Sequence, residues 1–203
     1  MINKDTDQDT SQDKNVAELR KRHRHARSEL TEAQLSNNAL AIVNQITQLA
    51  EFASGEQVAS YIAIRGEIDT LPLMHEFNDK NYYLPVLRGQ AMYFAPWTPG
   101  AMLVKKEFGL LEPDCSDSEW IDPRQLDVVL APLVVFDHQC NRIGQGGGFY
   151  DRTFEFLHGR AGVGKPALVG VAHESQREPL LQSQSWDVPL DFVVTDSSVY
   201  SRG

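Results

Sequence analysis

The most apolar run of the sequence, LDVVLAPLVVF at residues 126–136, is followed closely by a loop with four glycines, Gly144 and Gly146–Gly148. Further short runs rich in β-branched and aromatic residues cover 58–64, 82–87, 92–96, 167–172 and 191–196. Several of them do not alternate between apolar and polar residues, which is typical of strands buried on both faces. Because helical patterns fit between some of these runs, we predict a three-layer α/β/α sandwich with a largely parallel sheet.

The predicted helices lie before and between the strands. A helix is expected over 16–28, and the capping-box pattern of Thr31 and Gln34 begins an amphipathic helix that ends near Ser54-Gly55. Helical patterns also fit 70–79, 149–159 and 175–182. Residues 1–15 have almost no apolar content, so we expect a disordered polar lead-in followed by one domain over 16–203.

The charge distribution restricts the partners. The net charge is −9; residues 1–15 carry −2 and residues 16–30 carry +3, which leaves −10 for the rest of the chain. An acidic body disfavours binding to nucleic acid, whose phosphates dominate affinity. The sequence contains neither an apolar run of roughly 20 residues nor a signal peptide, so we expect a cytoplasmic protein without a membrane partner. We also expect a monomer.

The glycine-rich loop is the strongest candidate for chemistry. Its glycines let backbone N–H groups approach an anion, while Arg142 and Arg152 supply cationic donors. The loop is neither a Walker A sequence nor a dinucleotide-binding fingerprint. A plain tight turn is the alternative interpretation.

Four acidic residues could serve the same site. Asp151 follows the loop, where it could bind Mg²⁺ together with nucleotide phosphates or act only as a first-turn helix acid. Asp187 or Asp191 could join Asp151 around a metal, although both fit ordinary turn chemistry. Glu67 stands after the run 58–64, where it could accept hydrogen bonds from a heterocycle or remain solvated.

Taken together, these segments resemble the 5-formyltetrahydrofolate cyclo-ligase family, also called methenyltetrahydrofolate synthetase. The most specific part is APLVVFDHQCNRIGQGGGFYDR, which is similar to the family pattern of an apolar strand, R-[LI]-G-x-G-x-G-[FY]-Y-D and a helix. Supporting segments are Leu19-Arg20, YIAIRGEIDTLPL, YYLPVL, FGLLEP at 108–113 and WDVPLDFVVTD. The resemblance covers roughly residues 16–196 and implies a fold related to sugar-phosphate isomerases and CoA transferases.

The resemblance implies an ATP- and Mg²⁺-dependent enzyme that converts 5-formyltetrahydrofolate to 5,10-methenyltetrahydrofolate and releases ADP and phosphate. The catalytic residues would be Tyr150 and Arg142, and the metal ligands would be Asp151 and Asp187. The implied ATP-binding residues are Arg20, Arg142, Ile143, Gly144, Gln145, Gly146, Gly147, Gly148, Phe149 and Tyr150. The implied folate-binding residues are Ile62, Glu67, Gly146, Gly148, Phe149 and Tyr150.

The sequence departs from the family pattern at Val16 and Gly147, where many members carry lysine. Four arginines are candidates to replace these charges: Arg22, Arg24, Arg142 and Arg152. A folate- or nucleotide-binding protein without turnover is the alternative function, and a nucleic-acid-associated protein that uses the basic stretch is a second one.

Overall fold

The computed structural model describes residues 4–106, 109–160 and 162–203, and side chains from Lys14 onward. Phe108 of the FGLLEP segment therefore lies outside the described residues. The first helix, α1 (Lys4–Ser28), contains the predicted helix 16–28 and begins well before it. The segment has no glycine or proline, and acidic residues near its start and basic residues in its last turn complement the helix dipole. Most of the expected lead-in is thus helical, while the division into a lead-in and one domain stays a prediction.

The amphipathic segment after α1 forms two helices instead of the single predicted one. Helix α2 (Glu32–Ile46) begins at Thr31, whose hydroxyl accepts from the Gln34 N–H at 3.3 Å while the Gln34 amide oxygen accepts from the Thr31 N–H at 2.9 Å. The capping box is thereby confirmed. The chain leaves the helix after Ile46 and resumes as α3 (Ala50–Ser54). The apolar stripe continues across this break because Leu49 is buried too.

The central sheet has seven strands in the order β11-β10-β9-β6-β1-β2-β3. Their bounds are β1 (Gln57–Ala59), β2 (Asn81–Arg88), β3 (Ala91–Trp97), β6 (Val128–Pro132), β9 (Ala167–Val171), β10 (Phe192–Val194) and β11 (Val199–Ser201). The five inner strands pair in parallel, and only β3 and β11 at the edges are antiparallel to their neighbours. Two small antiparallel pairs complete the strands: β4 (Leu103–Lys105) with β5 (Leu111–Pro113), and β7 (Val135–Phe136) with β8 (Arg142–Ile143).

Helices cover both faces of this sheet, which confirms the three-layer prediction. On one face, Val128 and Leu130 of β6 pack in a cluster with Ile42 and Ile46 of α2 and with residues of α3 and α4 (Leu71–Glu76). On the other face, Val129 of β6 packs with Phe154, which directly follows α5 (Phe149–Thr153). Successive residues of the strand thus enter different cores, which explains why the sequence run shows no polar alternation.

Three predicted elements are shorter than expected. The run 58–64 is a strand only to Ala59, because side-chain hydrogen bonds replace strand pairing beyond it. The Thr70 hydroxyl donates to the Tyr61 carbonyl at 2.9 Å, and the Tyr61 hydroxyl donates to the Ile68 carbonyl at 2.9 Å. The run 126–136 divides into β6 and β7 after Pro132, which has no N–H to continue a ladder. The predicted helix 149–159 is α5 followed by a 3₁₀ turn at Glu155–Leu157.

The predicted helix 175–182 is wrong, since its only helical residues belong to a 3₁₀ turn at Glu174–Gln176. The chain continues toward Leu181, where the buried Asp137 carboxylate accepts the backbone N–H at 2.8 Å. A helix through this segment would use that N–H internally.

The strand order places a crevice at the centre of the sheet. From β1 the chain moves to β2 on one side, and from β6 it moves to β9 and β10 on the other. Ligands of open α/β sheets bind at the carboxyl ends of the strands beside such a reversal. The loop Ser60–Thr70 and the hairpin β7–β8 leave these ends, so the fold brings together the two loops that the sequence singled out.

Candidate active site

A cavity of about 1070 Å³ lies between these loops. It is lined by every residue that the family resemblance assigned to a site: Arg20, Ile62, Glu67, Arg142, Ile143, Gly144, Gln145, Gly146, Gly147, Gly148, Phe149, Tyr150, Asp151 and Asp187. These residues come from α1, from the loop after β1, from the glycine-rich loop and from the turn before β10. The structure therefore joins four segments that are far apart in the sequence, while the role of each residue stays a prediction.

The glycine-rich loop follows β8 and requires glycine at specific positions. Gly146 has φ +107° and Gly148 has φ +62°, in the region that favours glycine. A Cβ atom at Gly147 would lie 2.7 Å from the Phe149 ring. The Gly147 carbonyl also accepts from Arg152 Nη2 at 2.8 Å. These constraints explain the glycines of the loop in structural terms, and they are met by a binding loop and by a plain tight turn alike.

Helix α1 holds this loop from outside. Arg20 Nε donates to the Gly144 carbonyl at 2.9 Å, and Arg24 Nη2 donates to the Gln145 carbonyl at 2.8 Å. Arg24 Nε donates in addition to the Gln145 side-chain oxygen at 3.1 Å. Two arginines of the basic stretch, Arg20 and Arg24, therefore contact the loop from α1. Binding of the nucleotide by Arg20 stays a prediction.

Glu67 is buried, with 8% of its surface exposed, so the solvated-loop interpretation is wrong. Its Oε2 accepts from the Ile64 N–H at 3.2 Å, and its Oε1 accepts from Gln145 Nε2 at 2.9 Å. Arg27 Nη2 lies 3.8 Å from Oε1, and both side chains of this ion pair are almost fully buried. Burial raises the pKa of Glu67 despite the Arg27 charge, which acts to lower it.

The two predicted metal ligands lie at the other end of the cavity. Asp151 Oδ1 accepts from Arg142 Nη2 at 2.6 Å and from the Val188 N–H at 3.1 Å, and Asp187 Oδ2 accepts from the Gln184 N–H at 2.7 Å. Burial raises the pKa of Asp187, and the Asp151 charge adds to the rise while Arg142 opposes it. The two carboxylates are therefore close enough to repel each other.

This donor set fits a Mg²⁺ ion that is shared with a phosphorylated substrate. Mg²⁺ in nucleotide sites binds through one or two carboxylates, with water and phosphate oxygens as the other ligands. Among the described residues, no group of three or more His, Cys, Asp or Glu side chains could hold a metal. A metal ion at Asp151 and Asp187 would therefore need further oxygen ligands, which water and phosphate can supply. Asp191, the other residue considered for the metal, is buried and ion-paired with Arg160.

The candidate replacements for the family lysines separate clearly. Arg24, Arg142 and Arg152 line the cavity, whereas Arg22 does not and pairs with Glu178. Val16 lines the cavity too, and it packs against a cluster that contains Val134 and Val135.

Three residues of the site were missed by sequence reasoning. Arg27 looks like any other basic residue of α1, and only its contact with Glu67 distinguishes it. Tyr61 lines the cavity behind Glu67, and Trp186 stands at the cavity with 63% of its surface exposed. An exposed tryptophan directly before Asp187 was a usable signal, since large apolar side chains at a surface often contact ligands.

Tyr150 was expected beside the reacting group. Burial raises the pKa of its phenol, and the negative charge of Glu67 adds to the rise. The phenol therefore stays protonated near neutral pH and can donate a hydrogen bond into the cavity.

Comparisons with known proteins support the resemblance to the cyclo-ligase family. The sequence model of the "5-formyltetrahydrofolate cyclo-ligase family" matches residues 11–196. A protein of Haemophilus influenzae named 5-formyltetrahydrofolate cyclo-ligase is 32% identical over 178 residues, which cover 85% of this chain and 93% of that protein. The Escherichia coli (strain K12) protein of the same name is 36% identical over 148 residues, which cover 70% of this chain and 79% of its relative.

Solved structures agree with the fold. The NMR structure of the Aquifex aeolicus 5,10-methenyltetrahydrofolate synthetase has a TM-score of 0.79 and 31% identity, and the match covers 92% of each chain. The synthetase from Mycoplasma pneumoniae, at 22% identity and a TM-score of 0.67, shares the fold. No helix among the described residues is long and apolar enough to cross a membrane. The chain belongs to the 5-formyltetrahydrofolate cyclo-ligase family, and it is an enzyme of the ligase class.

Proposed function

We propose that this chain uses ATP and Mg²⁺ to cyclise 5-formyltetrahydrofolate to 5,10-methenyltetrahydrofolate, with release of ADP and phosphate. The observation that carries the proposal is the single cavity lined by all the residues assigned to ATP, metal and folate. Family membership supports the folate substrate, which the family name states, and it supports ATP as the co-substrate because this family in general depends on ATP. We further propose that the protein acts in the cytoplasm as a monomer.

The reaction activates a poor leaving group. The formyl oxygen attacks the γ-phosphorus of ATP, the bond to the β-phosphate oxygen breaks, and ADP leaves. N10 of the folate then attacks the phosphorylated formyl carbon, the five-membered ring closes, and phosphate departs with the former formyl oxygen as N10 loses its proton. Such a transfer depends on positioning and charge stabilisation more than on covalent help from the protein.

Each end of the cavity would serve one part of this reaction. Arg20, Arg142 and the backbone of Gly144–Gly148 would bind the phosphates, and Asp151 and Asp187 would hold Mg²⁺, which neutralises charge on the transferred group. Glu67 would accept from N–H groups of the pterin ring, and Ile62 would pack on it. Tyr150 would donate to the formyl oxygen, since its phenol stays protonated.

The test is a turnover assay with purified protein, MgATP and 5-formyltetrahydrofolate. We expect the methenyl chromophore and ADP to form together in equal amounts, and neither product when the folate is left out. ADP without the chromophore would mean an ATPase of another specificity. Binding of both ligands without either product would support the alternative, a binding protein without turnover, and contradict the proposal.

A further inference from the structure

We propose that Gln145 couples the two ligand sites: its side-chain amide occupies an acceptor on Glu67 that the folate ring would use, and displacement of this amide frees the Arg24 Nε for the nucleotide phosphates. The inference rests on the proposed function, because it takes Glu67 as the group that binds the pterin.

The side chain of Gln145 connects two segments across the cavity. Its Nε2 donates to Glu67 Oε1 at 2.9 Å, and its Oε1 accepts from Arg24 Nε at 3.1 Å. Arg24 Nη2 also donates to the Gln145 carbonyl at 2.8 Å. Both ends of one exposed amide are therefore engaged, one on the predicted folate acid and one on a cation of the nucleotide side.

Gln145 is the contact of Glu67 that costs least to break. Of the three partners described for this carboxylate, Ile64 belongs to the same loop and Arg27 is 3% exposed, whereas Gln145 is on the cavity surface. A heterocycle with two neighbouring N–H donors needs acceptor positions on Glu67, and Oε1 already accepts from Gln145. An exchange of one N–H donor for another leaves no buried group unpaired, so the free-energy cost is small.

Displacement of the Gln145 side chain changes the hydrogen bonding of Arg24. The Nε of Arg24 loses the Gln145 side-chain oxygen while Nη2 keeps its bond to the Gln145 carbonyl, and the guanidinium lines the same cavity as the glycine-rich loop. A cation is needed there, because Gly147 stands where many family members carry lysine. Folate binding should therefore tighten MgATP binding, and by linkage MgATP should tighten folate binding by the same factor.

The coupling is proposed for this chain and not for the family, because of the position of Gln145 in the loop. Gln145 occupies the variable position of the family pattern R-[LI]-G-x-G, so the pattern does not demand an amide there. Arg24 likewise lies outside the residues that carry the resemblance. The coupling should thus depend on Gln145 and Arg24 together.

The test is calorimetric titration of the full chain with Mg²⁺ and adenylyl imidodiphosphate, with and without saturating 5-formyltetrahydrofolate. We expect the folate to tighten the nucleotide analogue at least about 5-fold in the wild-type protein, the lower end of ordinary coupling. Gln145→Ala should bind folate at least as tightly as the wild type and should reduce the coupling to less than about 2-fold. Gln125→Ala, which removes an exposed glutamine outside the cavity, should keep the full coupling.

A second pair of variants tests the cation. Arg24→Ala should weaken analogue binding in the folate-bound protein by about 5-fold or more, whereas Lys21→Ala removes an exposed charge of the same helix and should change it little. Full coupling in Gln145→Ala, no coupling in the wild type, or equal effects of the two charge variants would each overturn the inference. Wild-type turnover separates these outcomes from failure of the proposed function, because an active enzyme with any of them loses only the role of Gln145.

Discussion

The two acidic ends of the cavity differ in how the protein balances their charge. At one end, the single carboxylate of Glu67 is buried with the single guanidinium of Arg27, 3.8 Å away. At the other end, Arg142 pairs with Asp151 at 2.6 Å, and its charge also acts on a second carboxylate, that of Asp187. The first set is neutral as a unit, whereas the second keeps one negative charge.

This difference indicates which ligand each end can take. A neutral set offers hydrogen-bond acceptors without attracting an ion, so it suits a flat, uncharged heterocycle. A set with excess negative charge, beside the arginines proposed to bind phosphate, would need a divalent cation before a polyphosphate could approach. Under the proposed function, the cavity would therefore separate the two ligands by charge.

The largest effect is expected when a carboxylate charge is removed at the end of the cavity that contains Asp151 and Asp187. Asp187→Asn should lower turnover at fixed MgATP by about 100-fold or more, since loss of even a supporting partner of a metal ligand costs about 10–100-fold. Folate affinity and the melting temperature should stay near the wild-type values, because Asp187 is half-exposed and bonds only its own turn.

Asp114→Asn, at an exposed position outside the cavity, is the matched control and should behave as the wild type. Asp151→Asn should also lower turnover strongly, and its contacts with Arg142 and Val188 add a structural role. Unchanged MgATP kinetics in either active-site variant would remove that residue from the metal site.

The charge balance at the Glu67 end can be tested by removing the Arg27 cation. Arg27→Met leaves Glu67 buried without its partner, and such losses destabilise proteins by about 3–5 kcal/mol. Chemical unfolding measures this change, and Arg27→Met with Glu67→Met should recover most of it. Arg124→Met, at an exposed arginine, should cost less than about 1 kcal/mol. Equal losses in the single and double variants would mean that the Arg27 bonds to the Arg65 and Leu133 carbonyls matter instead.

Substitution of Glu67 tests the ligand rather than the fold. Glu67→Gln should weaken 5-formyltetrahydrofolate binding by about 5- to 150-fold, because an amide matches only part of the acceptor pattern and an unpaired buried donor costs roughly 1–3 kcal/mol. ATP affinity should change little. Calorimetric titration with each ligand decides the matter, and normal folate binding by this variant would place the pterin elsewhere.

The raised pKa of Glu67 adds a pH dependence to the same measurement. Because burial raises this pKa above the usual 4.5, the carboxylate takes up a proton as the pH falls through the raised value, and folate affinity should fall with it. The loss should therefore begin at a higher pH than an ordinary glutamate would give. In Glu67→Gln this part of the pH profile should be absent; if it persists, another group causes it.

The smallest effect is expected from restoring a family lysine. Val16→Lys adds a cation at the nucleotide side of the cavity, and a partly exposed charge contributes up to about 1 kcal/mol, or roughly 5-fold in the KM for MgATP. The gain should shrink as salt is added. Val16→Met keeps the packing with Val134 and Val135 without the charge and should show no gain.

The sequence was sufficient for the order of the main strands and for the glycine-rich part of the cavity, and the reasons are local. Strands such as β6 carry continuous apolar runs, and the glycine-rich loop and its flanking acids form a contiguous pattern. The extent of β1 could not be read in the same way. Tyr61 and Ile62 look like strand residues, but hydroxyl contacts with Thr70 and Ile68 turn the chain into a loop.

Contacts between distant segments were beyond the sequence for a related reason. Arg27 and Glu67 are forty residues apart, and neither residue type predicts burial on its own. The same holds for Arg24 and Gln145, which meet only because α1 docks beside the hairpin β7–β8. Patterns along the chain identify candidate groups, whereas their charge balance depends on which elements pack together.

The strand order also determines how the residues of the site are distributed along the sequence. Ile62 and Glu67 of the proposed folate site lie before the exposed stretch 116–119, whereas the glycine-rich loop, Tyr150 and both proposed metal ligands lie after it. A cut in that stretch would yield two fragments, each with part of the site, that meet where β1 pairs with β6, where α1 contacts the glycine-rich loop and where α5 packs beside β3. Reassembly of two such fragments would therefore rebuild the cavity from both halves, and recovered turnover would report on their association.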